Sequence, residues 1–202
     1  GFRKILQKIE DAQQAEYRAL FVPQEPHLPN GQDQRLFAYL RNAAALPAYE
    51  HTQSRYFGDG KEMLSAMLAD LQRAEKFIFM EYFIIEDGKF WNSILNVLKK
   101  KASYGVTVRV LYDDIGCMST LPGDYHKTLK SYGIEATPFS RLKGNADSEF
   151  NNRSHRKILV IDGKIGYTGG VNIADEYINE TIRFGHWKDT AIRLEGEAVW
   201  EL

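Results

Sequence analysis

From Phe77 to Ile85 the chain is apolar for nine residues, interrupted only by Glu81. This run is too short to cross a bilayer, which takes about 20 apolar residues as a helix. It is also too continuous for a strand with one wet face, so it is expected to be a strand covered on both sides. The neighbouring segments carry helical spacing. Met63, Leu64, Met67, Leu68 and Leu71 fall on one face of 61–76, and Phe90, Trp91, Ile94, Leu95 and Leu98 on one face of 89–103. Gly105 follows as the residue after the helix end. A β-branched strand is expected over 106–112, a helix capped by Asp124 up to Tyr132, and a strand over 134–139. Strand and helix alternate, which predicts an α/β fold with a mostly parallel sheet flanked by helices on both faces. After Arg141 the alternation stops. Asp162-Gly163 separates the apolar runs 157–161 and 164–168, a strong hairpin signal, and a further strand is expected over 189–194. The sheet is therefore expected to be mixed.

The N-terminal quarter reads differently. Ile5, Leu6, Ile9, Ala12, Ala15, Ala19 and Leu20 predict a helix over 3–20. Three of the six prolines lie in 22–31, which marks a linker, and a short helix is expected over 32–44. The division is thus 1–50, with helix, linker and short helix, and 51–202, a single catalytic domain. Residues 196–202 resemble the start of an amphipathic helix, and the first residue is Gly, so the chain is expected to be a piece of a longer protein. With 26 Lys and Arg against 27 Asp and Glu the net charge is −1, which argues against a broad nucleic-acid-coating surface. Residues 141–164, however, hold six basic against three acidic side chains. The lone Cys117 can form neither an internal disulfide nor a thiolate metal cage. No metal site and no cofactor are expected, and the chain as given is expected to be soluble.

The chemistry concentrates in Asn152-Arg153-Ser154-His155-Arg156-Lys157-Ile158-Leu159-Val160-Ile161-Asp162, followed by Gly169-Gly170-Val171-Asn172. Residues two apart on a strand point the same way, so His155 and Lys157 project together. A neutral imidazole is a competent nucleophile toward phosphorus, and an ammonium beside it can hold a non-bridging oxygen. Asn172 can donate to the same oxygens, and Gly170 allows close backbone approach. A bare His-x-Lys is common and usually a solvated strand edge; the whole string is not. Asp162 lies seven residues beyond His155, up to roughly 23 Å along a strand and of opposite parity. It is expected to tie down the hairpin or nearby backbone. Asp189 is better placed to accept the imidazole N–H and fix the tautomer, as the orienting carboxylate does in a Ser-His-Asp triad. Glu81 is expected to be paired or to line the cleft, with Tyr82 and Arg153 as further cleft candidates. Asp113-Asp114 reads as a plain turn. His186-Trp187-Lys188 repeats the tripeptide but has Arg193 in place of an Asp, and reads as a surface turn.

This string resembles the phospholipase D superfamily, whose signature is His-x-Lys-x4-Asp with a small-residue pair and Asn downstream. Phe79 to Ile84, Leu111 to Gly116 and Gly185 to Thr190 make it most similar to the first catalytic half of bacterial cardiolipin synthases, over roughly 50–202. The resemblance implies catalytic roles for His155, Lys157 and the motif's Asp162, and phosphate binding by Lys157, Gly170 and Asn172. It implies a phosphohistidine intermediate formed from phosphatidylglycerol and displaced by a second phosphatidylglycerol. It also implies a second His-x-Lys-x4-Asp half, or a homodimer mate, to protonate the leaving group, so one copy alone is expected to be inactive. The parent protein is expected at the cell membrane with this domain on the cytoplasmic side. The partner is an anionic phospholipid, and no nucleic acid is expected. Two other readings stay open: a homodimeric single-motif nuclease of the same superfamily, and a non-catalytic lipid-surface module.

Overall fold

The computed structural model describes residues 31–44, 49–141 and 153–202. The expected helix over 3–20, linker residues 22–30 and Asn152 lie outside them. The chain divides into two units, residues 1–50 and 51–202. In the first, helix α1 spans Gly31–Ala44, where a short helix is expected.

The second unit is built on a mixed seven-stranded sheet in the order β1-β7-β6-β5-β2-β3-β4. The strands are β1 (Thr52–Phe57), β2 (Phe77–Tyr82), β3 (Thr107–Asp113), β4 (Glu135–Phe139), β5 (Lys157–Ile161), β6 (Ile165–Gly169) and β7 (Ala191–Gly196). Helices α2 (Gly60–Arg73), α3 (Lys89–Ser103) and α4 (Tyr125–Ser131) lie between strands. The expectation of a mostly parallel sheet is corrected. Only β2-β3 and β3-β4 are parallel, and the other four pairings of the described sheet are antiparallel. Helical crossovers end at β4; the hairpin β5-β6 and the return of β7 along β6 make the rest antiparallel.

Local chemistry sets the elements. Asp59 caps α2, accepting from the N–H groups of Lys61 and Glu62 at 2.8 and 3.2 Å. Helix α3 starts at Gly88, which has no side chain to cap with, and Asp175 substitutes from far along the chain. Its two oxygens accept from Lys89 N–H and Phe90 N–H at 2.9 and 2.7 Å. At the β5-β6 turn Asp162 and Gly163 have φ of 54° and 66°, and Lys164 N–H bonds Ile161 C=O at 3.0 Å. Two left-handed residues at the centre of this tight turn, within the three-residue loop 162–164, match the right-handed twist of a hairpin.

Along β2 burial alternates. Ile78, Met80 and Tyr82 are buried in one core with Met67, Leu71, Ile94 and Leu98 of α2 and α3. Phe77, Phe79 and Glu81 are only half-buried. The expectation of full cover on both faces is corrected here. The second face of β2, β3 and β5 opens into a groove of about 450 Å³ lined by Phe79, Leu111, Val160 and Trp200. Among the described residues, the 3₁₀ turn Glu197–Glu201 and Leu202 are what reach over it, in place of the expected amphipathic helix.

Candidate active site

The sheet registers place the elements of the site on one edge. Tyr82 is level with Tyr112 at the ends of β2 and β3, and with Lys157 at the start of β5. Gly169, ending β6, is level with Ala191, which starts β7. Carboxyl ends of parallel strands therefore share an edge with the amino ends of their antiparallel neighbours. Residues 153–156, 170–172 and 189 all enter or leave the sheet there.

Beyond β2 the backbone is stitched to the segment after β6. Ile173 N–H bonds Ile84 C=O at 3.1 Å, and Glu86 N–H bonds Ile173 C=O at 2.9 Å. Asn172 belongs to this stitch: its side-chain oxygen accepts from Ile84 N–H at 3.0 Å and its amide donates to Tyr177 Oη at 2.8 Å. The side chain is 3% exposed, which fixes it at the site edge with one amide hydrogen left uncommitted by these bonds.

His155 is exposed, and its ring stands edge-on to Phe83 with centroids 4.6 Å apart. Lys157 is buried at 4% exposure; its Nζ donates to His155 C=O at 2.8 Å and lies 5.3 Å from the Phe83 ring centre. Burial pushes the Lys157 ammonium below the ordinary lysine pKa, and the Asp189 carboxylate opposes that. Phe83 thus orients both groups from a single ring. Its signal in the sequence was only its place at the end of the apolar run.

Asp189 does not make the expected bond. Among the described residues no hydrogen bond or ion pair joins it to His155. Its Oδ1 accepts from Thr190 N–H at 2.7 Å and packs against Gly170, where a Cβ would lie 2.0 Å from that oxygen. The reason is the chain path: β7 enters beside β6, two strands away from β5 and the His155 that leads into it, and presents Asp189 to Gly170 and to the Lys157 charge. A side chain at position 170 would therefore displace the Asp189 carboxylate from this contact.

Asp162 sits at the far end of β5 from His155. Its Oδ1 accepts from Lys76 and Phe77 N–H at 2.7 and 2.8 Å, and its Oδ2 from Glu75 N–H at 2.8 Å. Burial alone would raise its pKa, but these donors and Lys164 outweigh that and hold it below the ordinary carboxylate range. The motif's carboxylate is a clamp on the α2-β2 connection and is remote from the reacting edge.

Of the cleft candidates, Tyr82 is corrected. It is 3% exposed and points into the core. Glu81 is paired: it accepts from Ser154 Oγ and meets Arg156 at 3.6 Å, and it borders the groove on the open sheet face, whose lining does not include His155 or Lys157. Arg153 is half-buried, with Nη1 donating to Ser140 C=O at 3.0 Å and lying 3.6 Å from Asp113. Asp113, read from sequence as part of a plain turn, is buried and also accepts from Ile115 and Gly116 N–H at 3.0 and 2.9 Å. One carboxylate thus shapes the β3 turn and anchors the residue two before His155. The Cys117 thiol is buried and pushed up to about 11, so it is no nucleophile near neutral pH. No cluster of three metal-ligating side chains occurs among the described residues. No helix among them is long and apolar enough to cross a membrane.

Residues 67–182 match the family described as "Cardiolipin synthase, PLD-like domain". A protein of Streptococcus mutans described as "Uncharacterized protein" is 45% identical over 197 residues, covering 98% of this chain and 42% of its own length. A cardiolipin synthase of Oceanobacillus iheyensis is 38% identical over 167 residues, covering 81% of this chain and 34% of its own. The chain therefore spans well under half the length of these relatives. NucT from Helicobacter pylori superposes with a TM-score of 0.57 at 14% identity, covering 75% of this chain and 91% of its own. Phosphatidylserine synthase from Haemophilus influenzae gives 0.55 at 16%, covering 74% of this chain and 34% of its own. At such identities these two structures share the fold.

Proposed function

The chain belongs to the cardiolipin synthase, PLD-like domain family, and from that premise we propose that it supplies the nucleophilic half of a phosphatidyltransferase site. The observation that carries the reading is an exposed imidazole and a buried ammonium, both against Phe83 on one sheet edge, with Gly170 and Asn172 leaving the same edge.

An unprotonated nitrogen of His155 attacks the phosphorus of phosphatidylglycerol. The N–P bond forms as the P–O bond to the headgroup glycerol breaks. Lys157 and the Asn172 amide hold the non-bridging oxygens, whose negative charge must stay balanced through the displacement. Asp189, acting through space on Lys157, favours the ammonium form and opposes the burial that lowers its pKa. The departing alkoxide needs a proton from the face opposite His155, which His155 cannot supply while bonded to phosphorus. A second half-site, from the remainder of a longer chain or from a second copy, fills that role. A hydroxyl of a second phosphatidylglycerol then attacks phosphorus, returning its proton to that second half-site as the P–O bond forms and the N–P bond breaks, which gives cardiolipin and restores the neutral imidazole. Asp162 contributes by fixing the far end of β5.

The test is transfer of label from phosphatidylglycerol carrying ³²P. With the complementary half present, His155 should acquire acid-labile label that chases into cardiolipin. His155→Ala should lower turnover by at least about a thousandfold while leaving the melting temperature unchanged. Undiminished transfer by that variant would sink the assignment. Metal-independent DNA cleavage without lipid transfer would favour the nuclease reading instead.

A further inference from the structure

We infer that the segment Asn179–Thr190 is an interfacial loop, which seats the site edge on an anionic lipid bilayer by inserting Ile182 and Phe184 between headgroups. The inference rests on the phosphatidyltransferase reading for its choice of partner, and on the loop's own geometry for the rest.

Ile182 is 79% exposed and Phe184 75% exposed, among the most solvent-exposed large apolar side chains described. They are one residue apart with Arg183 between them. Single exposed apolar residues are ordinary, but two at one loop tip beside a site are a patch that calls for a partner. The base of the loop is held firmly. Asn179, at φ 56°, accepts from Trp187 N–H at 2.7 Å and donates to Trp187 C=O at 3.0 Å. Trp187 packs on Tyr177 at 4.7 Å between ring centres, with Phe184 6.2 Å from Trp187 on the outside. Tyr177 in turn carries the bond from Asn172. A ladder of rings thus runs from the site to the loop tip.

The charges are sorted by direction. Both acidic side chains of the loop turn away from its tip. Glu180 meets Lys61 and Lys89 at 3.4 and 2.9 Å, and Asp189 packs against Gly170. The basic ones, Arg183, His186 and Lys188, are exposed, Arg183 also lying 3.5 Å from the buried Glu176 at the base of the loop. Apolar tips flanked by Arg183 and Lys188 match the chemistry of an anionic bilayer interface, where apolar burial and attraction of each Lys or Arg to anionic lipid add together. The loop joins the end of β6 to the start of β7, so it leaves the same edge as His155 and Lys157. Seating that edge on lipid brings a headgroup phosphate to the imidazole without lifting the lipid out of the membrane. Met118, 63% exposed in the turn beyond β3, leaves the same edge.

The experiment is binding of the full chain to vesicles of phosphatidylglycerol and, separately, of phosphatidylcholine, with no activity readout. Stronger binding to phosphatidylglycerol is expected. The double variant Ile182→Ser with Phe184→Ser should weaken it about tenfold or more, and Phe184→Leu should retain it. In the unaltered chain, lipids brominated on their acyl chains should quench tryptophan emission, and Trp187→Phe should remove that quenching. This second measurement decides the matter even if the double variant misfolds. Unchanged vesicle binding by a folded double variant, or absent quenching, overturns the inference. So does a double variant that alters self-association and not vesicle binding, since the loop would then be a protein interface. Docking and transfer, measured on the unaltered chain with the complementary half present, separate the two claims: a loop that docks on lipid without transfer keeps this inference and defeats the enzymatic one. Transfer from detergent-dispersed lipid with no loop-dependent docking does the reverse.

Discussion

At the scale of single residues, β5 separates two duties that the His-x-Lys-x4-Asp spacing appears to unite. Lys157 and His155 serve the edge where chemistry can occur, while Asp162 accepts three backbone N–H groups at the opposite end. Its folded pKa lies below that of a free carboxylate. The stability it contributes is therefore complete above about pH 4–5 and is lost as the pH falls through the depressed value. Asp162→Asn keeps the left-handed turn residue, since Asn tolerates φ > 0, but removes the charge. At neutral pH it should cost about 1 kcal/mol, the low end for charge-assisted bonds because the site is part-exposed. Urea melts from pH 2 to 7 should show the gap between the two proteins closing as the pH approaches 2. A gap that stays constant would show that the carboxylate's charge is not what matters.

At the scale of elements, helix α3 depends on a cap that is remote in sequence. Asp175→Ala leaves Lys89 and Phe90 N–H groups without their acceptor. The expected loss is about 1 kcal/mol, with faster amide exchange confined to the first turn of α3. Uniform acceleration across the helix would contradict a capping role. This contact explains what was legible in the sequence and what was not. The limits of α3 follow from Phe90, Trp91, Ile94, Leu95 and Leu98, and those of β5 and β6 from Asp162-Gly163, because these signals are local. The cap was invisible because Gly88 is silent and its substitute is a tertiary neighbour. Strand β1 escaped notice because Gln53, Ser54, Arg55 and Tyr56 are exposed along an edge and show no alternation. The pairing of Asp113 with Arg153 was hidden for the same reason as the cap. The Asp189 position failed differently: the sequence predicts the return of β7 but not its place two strands from β5, and that place decides which charge Asp189 meets.

At the scale of the whole sheet, order and sequence diverge most at β1. Thr52 pairs with Gly196 and Phe57 with Ala191, so the earliest strand is matched to the last. Strands β2, β3 and β4 assemble through helical crossovers of ordinary length, whereas β1 must close a loop that encompasses nearly the entire unit. Loop closure of that size is entropically costly and slows folding. In pulsed hydrogen exchange during refolding, β1 and β7 amides should become protected after those of β2 and β3. Simultaneous protection would mean that the β1-β7 pair belongs to the folding nucleus. On the ribosome the same register imposes a wait. At several residues added per second, β1 emerges seconds to tens of seconds before β7 exists, an open edge with no partner of its own. The polar face and the cation at Arg55 suit it to that interval, since charged edge strands resist pairing with the wrong neighbour.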